Sequence, residues 1–127
     1  MDKILAEISA GELIDKITIL EIKKEKILDK EKISHVQKEL SSLSDTMERC
    51  IQNQSEISKF KDELKEVNSK LWDVENGKRA AEKKQEFGEE FINLSRVVYK
   101  LNDKRASIKL AINNFLGSNI KEVKSHE

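Results

Sequence analysis

The sequence has no proline among its 127 residues, only four glycines and one cysteine, and aromatic side chains make up 5% of it. Without proline, and with so little glycine, long stretches lack any residue that stops a helix by its own chemistry. Cys50 alone cannot close an internal disulfide, which fits a reducing compartment. No apolar run reaches the length of a membrane span or of a signal-peptide core, so membrane insertion is not expected and the expected location is the cytoplasm. Net charge is missing too: 24 basic residues balance 24 acidic ones, leaving no overall field to draw nucleic acid or an anionic membrane. The basic stretch KKEK (Lys23 to Lys26) is interleaved with acid and reads as a solvated face.

Charged residues make up 38% of the chain and hydrophobic ones 37%, and the hydrophobic ones recur in steps of three and four. One stripe runs Leu13, Ile17, Leu20 and Ile27, changes phase around Asp29 to Lys32, and resumes as Ile33, Val36, Leu40, Leu43, Met47 and Cys50. A second follows as Ile57, Phe60, Leu64, Val67, Leu71 and Val74, and a third runs from Phe87 to Phe115. The expected fold is all-α, with long antiparallel helices in a coiled-coil-like bundle packed up, down, up. One domain is expected: an extended arm over 1–9, a bundle over 10–118 and a tail over 119–127.

Ser9 followed by Glu12 has the form of a capping box and places the first helix start at Ala10. The phase change near Asp29 reads as a stutter in one helix from Ala10 to Cys50, with a turn at Asp29 to Lys32 as the alternative. A polar turn over Gln52 to Glu56 should lead to a helix over Ile57 to Glu86, and a turn near Gly88 to one over Glu89 to Leu116, ended by Gly117. The first helix would then outreach its antiparallel neighbour by roughly 10 residues, or about 15 Å. That overhang would bare Leu13, Ile14, Ile17 and Leu20, a patch that monomers rarely tolerate, so a homodimer packed through these four residues is expected.

Motifs for phosphate cradles, dinucleotides, hydrolase nucleophiles and zinc helices are absent, and His35 and His126 are too few for a metal site. Neither cofactor nor metal is expected. The third stripe is broken at Arg105, which holds a seam position between Leu101 and Ile108. Asn102 and Lys109 lie one turn to either side, so an amide, a guanidinium and an ammonium share one face and could grip a phosphate or carboxylate. The plainer reading is that Arg105 meets an acidic or amide side chain, with Asn68 and Asp73 in range, and fixes helix register; replacement by leucine would then be neutral or stabilising. Glu12 and Asp15 suit a helix start on electrostatic grounds and are the only candidates for acid or base work. Trp72 reads as cover for the flank of the seam.

The blocks GELIDKITILEIKKEKI (Gly11 to Ile27), LWDVE (Leu71 to Glu75) and NDKRASIKLAINNFLGS (Asn102 to Ser118), with KEVKS (Lys121 to Ser125) as a weaker echo, resemble a family of uncharacterised bacterial proteins of nearly this length, a domain of unknown function. The resemblance implies no activity, substrate or catalytic residue. On the residues alone, the leading expectation is a non-enzymatic module for oligomerisation and for docking an unidentified protein. Its rival is a small helical enzyme or binding protein for an anionic metabolite such as a phosphate or sugar phosphate. A pocket lined by Asn102, Arg105, Lys109 and a nearby carboxylate would favour the rival.

Overall fold

The computed structural model describes residues 1–52 and 54–126. It contains four helices, α1 (Ala10–Lys26), α2 (Lys30–Cys50), α3 (Gln54–Lys84) and α4 (Glu89–Leu116), and no strand occurs among the described residues. The all-α bundle expected from the stripes is what forms. The arm before Ser9 has no regular structure and lies exposed. The turn expected over Gln52 to Glu56 includes residue 53, which lies outside the described residues.

The main departure is that the expected first helix is two helices. Ile27 turns to an extended backbone, its amide still bonded to the Lys23 carbonyl. Asp29 then opens α2, its carboxylate accepting the amides of Glu31 at 2.9 Å and Lys32 at 3.1 Å. A carboxylate that takes two of the free amides stabilises a helix start by about 1 kcal/mol, so the break needs neither glycine nor proline. Lys23, Lys24 and Lys26 in the last turn of α1 favour an end there, because cations offset the partial negative charge of the free carbonyls. The phase change in the stripe was the mark of this new start.

With the break in place α1 packs against each of the other three helices, and α3 pairs with α4. Phe60 meets Phe115 at one end of that pair, with ring centres 5.8 Å apart, and Leu94 packs onto Gly77 toward the other. The overhang is therefore absent. Leu13, Ile14, Ile17 and Leu20 are all buried within the chain, the first three in a core shared with Ile57, Leu64 and Val67 of α3 and Ile108 and Ile112 of α4. Covering each is worth roughly 1.5 to 3 kcal/mol, and the chain's own helices supply that cover. The four residues expected at a subunit interface are core residues instead.

At the α3–α4 turn the left-handed residue is Gln85, with φ 57°, rather than a glycine. The Glu86 amide returns to the Ala81 carbonyl at 3.0 Å and the Gln85 amide to the Glu82 carbonyl at 3.1 Å, which satisfies the end of α3. Gly117, with φ 66°, closes α4 as expected. Beyond it the tail doubles back along α4, with Lys121 on Asn114 at 2.8 Å, Glu122 on Lys109 at 3.0 Å and Lys124 on Asp103 at 2.9 Å.

Candidate functional site

Ser9 caps α1 by accepting the Glu12 amide at 3.1 Å. The reciprocal half of the expected capping box is not made, since the Glu12 carboxylate reaches Lys109 and Lys16 instead. The Ala10 amide donates to Ser118 Oγ at 3.2 Å and the Gly11 amide to Asn113 Oδ1 at 2.7 Å. Three free amides of this helix start are thus occupied by side chains, which removes it as an anion site. Gly11 permits the approach: a β-carbon there would stand 2.5 Å from the Lys109 carbonyl oxygen.

One turn on, a polar cluster lies inside the core. Asp15 is 1% exposed. Its Oδ1 accepts Arg105 Nε at 2.8 Å and Asn68 Nδ2 at 2.9 Å, and its Oδ2 accepts Arg105 Nη2 at 2.5 Å. Asn68 Nδ2 also donates to Thr18 Oγ1 at 2.9 Å, and that hydroxyl donates to the Asp15 carbonyl at 2.8 Å. The carboxylate holds one edge of the guanidinium in a two-point grip that fixes its plane. The free end, Nη1, has only a 3.5 Å contact with Asn102 Oδ1.

Burial pushes the Asp15 carboxyl up, but hydrogen bonds from Arg105 and Asn68 and the charges of Arg105 and Lys109 outweigh it and hold the group below its ordinary value. Asp15 therefore stays ionised near neutrality and is poorly suited to proton transfer. The Asp15 hydrogen bond raises Arg105, against the opposing effect of burial. For Lys109 burial works downward, and is outweighed by the hydrogen bonds it donates to Glu12 and Glu122, which raise it. Its ammonium lies 2.8 Å from Glu12 Oε2 and 3.0 Å from Glu122 Oε2.

Arg105 forms part of two clefts. One, of about 940 Å³, is lined by Glu12, Asn102, Arg105, Lys109 and Glu122 among others. The other, of about 450 Å³, is bounded by Ile19, Lys23, Asn68, Trp72, Arg79 and Arg105 with their neighbours. Glu12, Ile19 and Lys23 are spaced by seven and four residues, which puts them on one face of α1. Both clefts thus border that face of α1 and share Arg105, and together they are called the groove, each cleft being one half.

The structure thus brings together Asn102, Arg105, Lys109 and Glu12, and sets Asp15 behind them. Arg105 meets an acidic side chain as expected, but the partner is Asp15 of α1. Asp73 is exposed and does not pair with Arg105, and Asn68 reaches the site through Asp15. This pairing is the contact the register reading called for, but with Asp15 buried the single change Arg105→Leu would strand a carboxylate, so a neutral outcome is expected only when both partners are replaced. Sequence reasoning missed Thr18, one turn from Asp15 on the inner face, for which that spacing was a usable signal. It also missed Glu122, for which there was none, because the path of an irregular tail is not written in periodicity. Trp72 lines the smaller cleft, beyond its expected role as seam cover.

No helix is long and apolar enough to cross a membrane among the described residues. No curated protein and no solved structure matches the chain. The model of one family matches residues 4–127, from the arm through the tail, and so takes in every element of the groove. By that match the chain belongs to DUF6165, a family of unknown function.

Proposed function

We propose that the protein is a small, non-enzymatic binding module for an anionic metabolite of the phosphate or sugar-phosphate class, held in the groove at Arg105. The observation that carries this reading is the grip of buried Asp15 on one edge of the guanidinium, which leaves the other edge at the junction of two clefts. A carboxylate that orients an arginine from behind prepares it to meet a second planar or tetrahedral anion from the front. Asn102 and Lys109 would flank that anion, and Asp15 is a positioning residue rather than an acid or base. Of the apolar residues that favoured a subunit interface, Leu13, Ile14 and Ile17 are part of the chain's own core, and Leu20 is buried as well, which takes away the main argument for an oligomerisation module.

A thermal-shift panel of inorganic phosphate, nucleotides, sugar phosphates and carboxylates tests it. A ligand at a hundredfold excess over its dissociation constant stabilises the native state by about 2.7 kcal/mol, a shift of several degrees. At least one anion should produce such a shift with the native protein and much less with Arg105→Lys, which keeps the charge and loses the fork. No shift with any anion would sink the proposal.

A second reading, self-association through the far end of the α3–α4 pair, draws on one observation. Phe87, Ile92 and Val97 are 39–47% exposed there. Light scattering decides it: a mass of 14.6 kDa at micromolar concentration would exclude a homodimer under those conditions.

A further inference from the structure

The two halves of the groove differ in how their charges are used. On the larger side the cations are already paired, Lys109 with Glu12 and Glu122, and Lys124 with Asp103. In the smaller half, among the described residues, the side chains of Lys23, Trp72, Asn76 and Arg79 make no hydrogen bond or ion pair, although all four line one cleft. On α3, Asn68, Trp72, Asn76 and Arg79 follow one another at steps of four, four and three, so a single face of the helix presents an indole, two amides and a guanidinium. Ile19, Ile22 and Leu71 complete the walls with apolar surface. Glu75 is the one carboxylate in the lining, against Lys23, Arg79 and Arg105, so the cleft carries excess positive charge even with Arg105 set against Asp15.

We propose that this half-groove is a subsite for a ring-bearing phosphate ester, with the ring against Trp72 and the phosphate on Arg79, in the cleft that Arg105 also lines. An indole face takes the flat or apolar face of a ring, and guanidinium groups match a phosphate in geometry as well as charge. About 450 Å³ suits one small ring with its substituent. The subsite rests on the anion-binding reading of Arg105 and adds to it the class of compound and two unassigned residues, Trp72 and Arg79. Nucleoside and sugar phosphates share the required chemistry, and the test separates them.

Trp72 is the only tryptophan, so emission excited selectively in the indole, beyond the absorption of Tyr99 in the larger cleft, reports this cleft. Five probes are titrated against the full chain: inorganic phosphate, adenosine monophosphate, glucose 6-phosphate and, as rings without charge, adenosine and glucose. One of the two esters should shift the emission saturably, and should bind at least about tenfold more tightly than inorganic phosphate or its own parent ring. Arg79→Gln, at an exposed position where folding should be unaffected, should weaken that ester about tenfold at an unchanged melting temperature. Equal affinity for inorganic phosphate and both esters, or no effect of Arg79→Gln, would overturn the subsite while leaving an anion site at Arg105. No binding by any probe would overturn both.

Discussion

The two ends of the α3–α4 pair use the same kind of helical stripe and treat it in opposite ways. Where α1 crosses, polar side chains are buried: Asp15, Thr18, Asn68, Lys109 and Asn113 are all less than a tenth exposed. At the far end no polar side chain is buried among the described residues, and Phe87, Ile92 and Val97 stay partly in water. The difference is coverage. α3 has 31 residues and α4 has 28, against 17 in α1, so the pair runs on for roughly 15 to 20 Å past the reach of the shorter helix. Two helices alone cover only the seam between them, and a third decides which further residues leave the solvent. Burial of polar groups under that third helix costs free energy unless each is hydrogen-bonded, and the Asp15 cluster meets the requirement with four donors and acceptors from three helices.

The sharpest way to break this contrast is to unpair the buried end. Arg105→Leu should cost about 3 kcal/mol in urea unfolding, since it leaves the Asp15 carboxylate buried without its principal donor. Gly11→Ala should cost about 1 to 3 kcal/mol, because the added carbon meets backbone rather than a side chain that could turn away. Acid comes next. The folded-state pKa of Asp15 lies below its ordinary value of 3.8, so its contribution is present above that value and is lost as the pH falls through the lowered one. Stability of Asp15→Asn should therefore fall less steeply than that of the native protein below pH 3.8. At the exposed end, Ile92→Ala should change stability by less than about 0.5 kcal/mol in the same urea assay, though its hydrophobicity equals that of any core isoleucine.

These contrasts also mark what could be read from the sequence. The helical class, the start at Ala10, the limits of the last helix and the end at Gly117 followed from period and capping, which are local. The fold-back of α1 hinged on whether Asp29 caps a new helix or sits in the middle of an old one. Both readings place the same apolar residues at the same spacing, and only the tertiary cover of Ile14 and Ile17 decides between them. The grouping of Asn102, Arg105 and Lys109 was visible because i, i+3 and i+7 share a helix face. The carboxylates of α1 that pair with Arg105 and Lys109, Asp15 and Glu12, lie some ninety residues away in the chain, and single-helix periodicity holds no record of such pairings.

The central claim is that Arg105 is held for a ligand and not for the fold. The most direct measurement is the stability and anion response of the double variant Asp15→Leu with Arg105→Leu, which removes both charges together. The expected result is a folded protein as stable as the native one, or up to about 4 kcal/mol more so, whose melting temperature no longer responds to any anion that stabilises the native chain. Retention of that anion response by the folded double variant would contradict the claim, as would a loss of several kcal/mol of stability, which would assign the pair to the fold.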